Sequence, residues 1–240
     1  MIVAIQVLLL GTLQGQHAMS DSTGVDRSMA KAVALYNVSI RDQSLLYNGI
    51  EYKPYPEPYD GHPFFESEYV EEGSVLYDGE LYEDIPLQYD LITDVLILEH
   101  YDQKGYVGMV SPHQHKIKSF RLLDHTFIRV AGDSTGGVLK DGFYDVLHKG
   151  TIMILVKRKK LVTEDVNFNQ LMVSFPEKNN YYLVREGTYF PVKGKAGMVR
   201  VLRDKKRLLN QFVSKNRLDF QNNKEKSMAA LAAYYEQIQH

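Results

Sequence analysis

The chain contains no cysteine and no tryptophan among its 240 residues. Without cysteine it can form no disulfide, and it offers neither a thiolate nucleophile nor a thiolate ligand for a metal ion. The 17 tyrosines and 10 phenylalanines supply most of its aromatic surface. These absences exclude thiol catalysis and cysteine-based metal centres, and they favour a fold that is stabilised by an apolar interior.

Positive charge is nearly missing from one part of the chain. Between residues 47 and 102 there are fifteen acidic residues and one base, Lys53, whereas residues 103–240 hold twenty-four bases and twelve acids. Two interpretations follow from this distribution. Either the two segments form separate charged faces, or they lie side by side and neutralise each other.

The first residues form an apolar run that is too short to span a bilayer and is followed by small and polar residues. This pattern predicts a signal peptide at residues 1–16 and a polar, disordered lead at residues 17–24, although no base precedes the run. An N-terminal buried strand is the alternative. We therefore expect an exported protein that is periplasmic or associated with the outer membrane.

Two dipeptides predict hairpin turns between apolar-containing runs. Asp78-Gly79 and Glu186-Gly187 each suit a two-residue type I′ turn, in which both central residues need a positive φ. The Asp78-Gly79 turn would pair Tyr77 with Glu80. We therefore regard Asp78, Gly79, Glu186 and Gly187 as structural turn residues.

The run after Gly79 alternates between apolar and polar side chains, which is typical of a half-buried strand. A regular strand would place one set of residues toward the core: Leu81, Ile85, Leu87 and Tyr89. It would place the other set toward solvent: Glu80, Asp84, Gln88 and Asp90. Pro86 cannot donate a ladder hydrogen bond, so it predicts a sheet edge or a bulge nearby.

Nine to eleven such runs, joined mostly by short loops, predict an α+β fold. Its main part would be an antiparallel β meander, curled into a partial barrel or folded as two packed sheets. Helical spacing predicts an N-terminal helix over residues 25–36 and two short C-terminal helices. The first of these would cover residues 195–215, with Asp204 as the N-cap of its second part and Asn216 as the left-handed residue that closes it. Residues 25–240 would form a single β-rich domain whose segment 195–240 is helical.

Several stretches carry a resemblance to a known group of proteins. They are LYNGIEY, HPFF, GSVLYDGELYEDIPLQYDLITD, GFYDVL and LRDKKRLLNQFVSKNRLDF. In these stretches the chain resembles exported β-rich proteins of Bacteroidota to which no activity is assigned. The resemblance implies the fold and export, and it implies no chemistry.

Four consecutive bases, Lys157, Arg158, Lys159 and Lys160, follow an apolar strand and are the candidate surface-binding residues. Nucleic-acid binding would need interleaved aromatic residues and a cytoplasmic location, and the predicted export argues against it. We therefore expect an unknown macromolecule, or an anionic membrane or polysaccharide surface, as the partner. Self-association through sheet edges is a further expectation.

The histidines suggest a metal site, because His113-x-His115 could be completed by His100 or His125. No H-E-x-x-H spacing accompanies them, and Pro112 interrupts the local ladder, so a solvated loop is favoured over a metal-dependent hydrolase. No phosphate loop, aspartic dyad or nucleophile elbow occurs either. No catalytic residue and no cofactor is therefore predicted.

The sequence is compatible with three functions. The favoured one is an exported cell-envelope protein with a non-enzymatic binding or structural role. The second is a carrier whose curled sheet encloses an apolar ligand, with Tyr89, Ile97 and Phe127 lining the cavity. The third is the histidine-dependent metal hydrolase.

Overall fold

Fourteen strands and three α-helices follow one another in the described part of the chain. The computed structural model describes residues 45–55, 59–101, 106–167 and 170–239, which lie within one compact unit. The predicted signal peptide, the polar lead and the N-terminal helix lie outside the described residues. Short 3₁₀ turns occur at Leu45–Tyr47, Gln114–Lys116, Gly132–Thr135 and Arg203–Lys205.

The strands are β1 Gly49–Glu51, β2 Tyr59–Asp60, β3 Glu71–Tyr77, β4 Glu80–Asp90, β5 Val95–Tyr101, β6 Val107–Pro112, β7 Ile117–Leu122, β8 His125–Val130, β9 Gly142–Lys149, β10 Ile152–Lys157, β11 Thr163–Asn167, β12 Gln170–Ser174, β13 Asn180–Arg185 and β14 Thr188–Val192. The helices are α1 Lys195–Val201, α2 Lys206–Lys215 and α3 Lys224–Gln237.

Eleven of the strands form one antiparallel sheet in the order β1-β6-β5-β4-β3-β7-β8-β9-β10-β13-β14. The sheet is open, so the predicted antiparallel meander is confirmed and a closed barrel is not formed. A separate three-stranded sheet has the order β11-β12-β2, in which β12 and β2 run parallel. The fold is therefore mainly antiparallel β with short C-terminal helices.

The two hairpin turns have the backbone conformation that their residues favour. Asp78 and Gly79 have φ values of 51° and 90°, and Glu186 and Gly187 have values of 52° and 72°. In the first hairpin Tyr77 pairs with Glu80, which is the register expected from the sequence. Both turns join neighbouring strands of the large sheet, so each sets the register of its hairpin.

The predicted alternation along β4 is wrong at both ends of the strand. Asp84 has a φ of 52°, and the β3–β4 register shifts opposite it, between Gly73 and Val75. This bulge reverses the alternation, so that Tyr82 packs on the core while Leu81 is 57% exposed. Pro86 lies two residues beyond the bulge, as expected of a residue that cannot donate to the ladder.

Asp90, which was expected to face solvent, is fully buried. Its Oδ1 accepts hydrogen bonds from the backbone N–H groups of Ile92 and Thr93, at 2.8 and 3.2 Å. Its Oδ2 accepts from the hydroxyls of Tyr52 and Tyr55, at 3.2 and 3.3 Å. Burial and the nearby carboxylate raise the pKa of Tyr55 to about 12. Asp90 thus holds the β4–β5 turn and the segment before β2 together.

Three apolar clusters fill the interior. The first lies on β3–β9 and includes the packed rings of Tyr89, Phe120, Phe127 and Phe143. The second lies between the three helices and one face of β9, β10, β13 and β14. The third covers the opposite face of those strands, around Tyr144 and Leu155. The end of the sheet that carries β9, β10 and β13 is therefore covered on both faces.

The helical end differs from the prediction in its boundaries. The segment that was read as the first C-terminal helix is divided into α1, a 3₁₀ turn and α2. Asp204 does not cap α2, because its carboxylate binds Arg185 at 2.9 Å and the Tyr235 hydroxyl at 3.0 Å. Asn216 has a φ of −94°, and the left-handed residue is its neighbour Arg217, with a φ of 49°.

We predict that Gly79→Val lowers the free energy of unfolding by about 2 kcal/mol, because a β-branched residue is strongly disfavoured at a left-handed φ. A Cβ at this position would meet no atom within 4 Å, so the cost arises from the backbone conformation alone. Gly79→Asn is the matched control, since asparagine tolerates the left-handed region. Equal urea midpoints for the two variants would contradict the turn's role.

Candidate functional site

The four candidate surface-binding bases do not form an exposed patch. Lys159 is exposed, but the side chains of Lys157, Arg158 and Lys160 are 16%, 7% and 6% exposed. The strand β10 ends at Lys157, opposite Asn180 at the start of β13, and the side chains of Lys157, Arg158 and Lys160 turn into the protein. The prediction of a basic surface at these four positions is therefore corrected.

The two lysines have internal partners from the acidic half of the chain. Lys157 forms an ion pair with Asp94 and donates to the Phe143 carbonyl at 3.0 Å. Lys160 donates to the carbonyls of His62 and Phe64, at 2.8 and 2.9 Å. Burial lowers the pKa of both ammonium groups. At Lys157 the second interpretation of the charge distribution holds, because its ammonium group pairs with Asp94 of the acidic segment, whereas Lys160 is bound by backbone carbonyls.

Arg158 lies at the centre of a buried ionic cluster. Its Nε donates to Asp145 Oδ2 at 3.0 Å, and its terminal nitrogens bind Asp145 and both carboxylate oxygens of Glu225. The guanidinium also lies over the Phe65 ring, 5.6 Å from the centroid. Burial opposes its charge, but the hydrogen bonds to the two carboxylates outweigh burial and raise the pKa of Arg158. The cluster connects β9 and the end of β10 to the first turn of α3.

His125 completes the neutralisation of Asp145. Its Nδ1 lies 2.8 Å from Asp145 Oδ2, and its Nε2 lies 3.5 Å from Glu66 Oε1. Asp145 is fully buried, and its Oδ1 has no hydrogen-bond partner among the described residues. The hydrogen bond to Asp145 raises the pKa of His125, although burial and Arg158 oppose the shift.

The histidines do not assemble into a metal centre in the described part of the chain, where no group of three or more possible ligands is found. His113 and His115 lie with ring centroids 5.7 Å apart. His100 instead packs against Tyr47, and His125 binds Asp145. Nothing in this arrangement points to metal-dependent hydrolysis.

The residues that were expected to line a ligand cavity fill the interior instead. Tyr89, Ile97 and Phe127 are all fully buried. The ring of Tyr89 packs edge-on against Phe127 at 5.0 Å and against Phe120 at 5.2 Å, and Phe120 stacks on Phe127 at 4.7 Å. These rings contact one another, so they leave no hollow there for an apolar ligand.

The most distinctive surface is a groove of about 820 Å³ between the β13–β14 hairpin and α1. Four cationic side chains line it, from four different parts of the chain: Lys178, Lys193, Arg200 and Lys224. Among the residues that the structure describes, no aspartate or glutamate contributes to the lining. The groove is therefore a site of positive potential, to which anions are attracted.

The helix α1 presents its cations to the groove because its other side is buried. Met198 is fully buried, Val199 is 7% exposed, and both pack into the second cluster. Gly197 lies so close to β14 that a Cβ would stand 3.2 Å from the Cα of Val192. Glycine at this position lets the helix approach the strand and form the groove floor, while Arg200 projects outward and is exposed.

A second hollow, of about 640 Å³, continues the cationic surface on the far side of α1. It shares Ala196 and Arg200 with the groove and adds Lys195, Arg203 and Lys206, again without a carboxylate. We call the seven cations of the two hollows the basic surface: Lys178, Lys193, Lys195, Arg200, Arg203, Lys206 and Lys224. The surface ends where the adjoining hollows bring in carboxylates, Asp204 and Glu186 on one side and Glu225 and Glu66 on the other.

Within the described residues, no cation of the basic surface forms an ion pair. Lys224 lies over the Tyr181 ring, 4.4 Å from the centroid. Five of the seven cations lie between residues 193 and 206, where the sequence already shows a dense run of bases. Lys178 and Lys224 could not be assigned to this surface from the sequence, because they reach it through the tertiary fold.

No family model, no curated protein and no solved structure matches this chain. The resemblance to exported β-rich proteins therefore stays a prediction. Among the described residues, no helix is both long and apolar enough to cross a membrane.

We predict that Arg158→Met lowers the free energy of unfolding by about 3–5 kcal/mol, because it leaves Asp145 as a buried charge that has lost its main partner. Lys159→Met is the matched control, since the same change at the neighbouring exposed lysine should alter stability by no more than about 0.5 kcal/mol. Urea melts measure both values. Similar midpoints would show that the ionic cluster does not form.

We predict a pH dependence of stability that belongs to His125. Since the folded state raises its pKa, the stabilisation is complete below the unfolded pKa of about 6.5 and is lost as pH rises through the higher folded pKa. His125→Gln keeps a donor for Asp145 and removes the titration. The stability difference between the two proteins should therefore shrink from pH 6 to pH 8.5. A constant difference in urea melts across this range would contradict the assignment.

Proposed function

We propose that this chain is an exported cell-envelope protein with a non-enzymatic binding role, and that it holds an anionic partner through the basic surface. The observation that carries the proposal is a surface of seven cations in two adjoining hollows whose linings include no carboxylate. Ordinary protein surfaces mix the two signs of charge. A one-sign surface of this kind raises the local concentration of anions and steers them into contact.

The charge of the remainder of the chain supports this proposal. Formal net charge is −2, so the cations around α1 are not part of a uniformly basic protein. Two buried bases elsewhere, Arg158 and Lys157, are paired with Asp145 and Asp94 inside the fold. Seven cations around two adjoining hollows, whose described linings include no carboxylate, favour a specific partner over general solubility.

The envelope location is proposed from the apolar run of residues 2–10 and the small and polar residues that follow it. A periplasmic or outer-membrane-associated protein would meet acidic polysaccharides and anionic lipid headgroups. Both are consistent with the basic surface. A catalytic role receives no support from the described site, since its buried His125–Asp145 pair is occupied with Arg158 and Glu66 in neutralising charge.

The test of this function changes the charge of the surface at one exposed residue. Ala196 lies in both hollows, so Ala196→Glu places a carboxylate between the cations without removing a native contact. Ala196→Gln is the isosteric control, because glutamine and glutamate have similar helix propensities. On immobilised dextran sulfate, the native protein and the Gln variant should elute at similar salt concentrations, and the Glu variant should elute clearly earlier.

Salt provides the second measurement. Retention should fall steeply as the screening length shortens from about 10 Å at 0.1 M to about 3 Å at 1 M. Absence of retention at low salt, or equal elution of the Glu and Gln variants, would contradict the proposed function.

A further inference from the structure

We propose that the occupant of the groove is a single chain of an acidic polysaccharide, of the kind whose sugar units carry carboxylates. This inference rests on the proposed function and names the class of partner for the same surface. It depends on three properties of the groove: its concave shape, the contacts that its two aromatic rings already make with other side chains, and the mixture of cations with neutral hydrogen-bonding groups.

The shape favours a chain over a membrane. The groove and the second hollow adjoin at Ala196 and Arg200, which line both of them. Lys195 and Lys224 are only half-exposed, and a flat bilayer surface would reach them less readily than a chain that enters the hollows. A flexible chain can pass from one hollow to the other, and the volumes of about 820 and 640 Å³ are in the range of about 300–1,000 Å³ that is usual for ligand sites.

The aromatic residues argue against a single-stranded nucleic acid, whose bases stack on exposed rings at about 1–3 kcal/mol each. The groove contains two rings, and both are engaged within the protein. Lys224 covers the face of Tyr181, whose hydroxyl donates to Glu225 Oε1 at 2.9 Å. Tyr182 packs edge-to-face with Tyr144, with centroids 6.0 Å apart. A single-stranded nucleic acid would therefore meet cations for its phosphates in this groove but no unoccupied ring on which its nucleobases could stack.

The remaining groups suit a sugar with a carboxylate. Arg200 can bind a carboxylate with two parallel hydrogen bonds, and the three lysines of the groove supply further charge. Asn180 is exposed in the lining, and its amide can both donate to and accept from hydroxyl groups. Hydroxyls between carboxylates are a property of polyuronates that linear polyphosphate lacks.

The experiment compares four probes with the full chain at one ionic strength. They are polyuronate oligosaccharides from alginate, oligothymidylate with a similar number of charges, linear polyphosphate, and phosphatidylglycerol vesicles. We expect the polyuronate to bind at least about tenfold more tightly than oligothymidylate, since neither stacking nor phosphate-specific contacts compensate for the lost hydroxyl contacts.

The variants separate specific contacts from charge. Arg200→Gln should weaken polyuronate binding by about tenfold, whereas the control Lys118→Gln, which removes an exposed charge on β7, should leave it within about twofold. Asn180→Ala should weaken binding of the polyuronate and leave binding of polyphosphate unchanged. Circular dichroism and urea melts check that each variant is folded.

The outcomes distinguish this inference from the proposed function. Retention on dextran sulfate that depends on Ala196, together with equal or tighter binding of oligothymidylate, polyphosphate or vesicles, would overturn the polysaccharide assignment and leave the anion-binding function standing. Absence of retention on dextran sulfate would contradict both the polysaccharide assignment and the anion-binding function. Polyuronate preference that is insensitive to Arg200→Gln would also overturn the inference, because the chain would then bind elsewhere.

Discussion

The ion pair between Arg158 and Asp145 is the interaction on which the described architecture depends most. Both side chains are buried, Arg158 at 7% and Asp145 at 0% exposure, in a medium that strongly disfavours an unpaired charge. The geometry must therefore bring β9, the end of β10 and, through Glu225, the helix α3 together. Since the same cluster orients His125, it also constrains β8 and the segment of Glu66. The cluster thus restricts the relative placement of two consecutive sheet strands and of a helix whose Glu225 lies 67 residues after Arg158.

Features that depend on neighbouring residues could be predicted from the sequence. The Asp78-Gly79 turn and its register follow from the positive φ that a two-residue hairpin needs, and no distant contact is involved. The predicted core face of β4 holds at Ile85, Leu87 and Tyr89 but fails before Asp84, at Leu81, because a bulge at a non-glycine residue leaves no reliable pattern in one sequence. Burial of Asp90 was likewise out of reach, since its partners Tyr52 and Tyr55 lie more than thirty residues away.

The candidate site likewise combines features that neighbouring residues determine with features that depend on distant contacts. Four adjacent bases at the end of β10 have the composition of a binding surface, but composition does not reveal whether any of them forms an ion pair with a buried carboxylate. Arg158 meets Asp145 and Glu225, so the most prominent basic run became structural. The basic surface was visible in part, as the dense bases of residues 193–206. What defines it is the absence of carboxylates from its linings, and that property exists only after β13, β14 and α1 have come together.

The separation between Arg158 and its partner in α3 has a consequence for synthesis on the ribosome. Most neighbours in the large sheet are hairpins of consecutive strands, which can form as soon as they emerge. Glu225 lies 67 residues after Arg158. At translation rates of about 5–20 residues per second, Glu225 is synthesised roughly 3–13 seconds after Arg158. During that interval the Arg158–Asp145 pair lacks its contact with α3, and the face of β9 and β10 that the helices cover is exposed. The nascent chain therefore exposes apolar residues on an incompletely covered sheet, and chaperones of the holdase type would bind it during this interval.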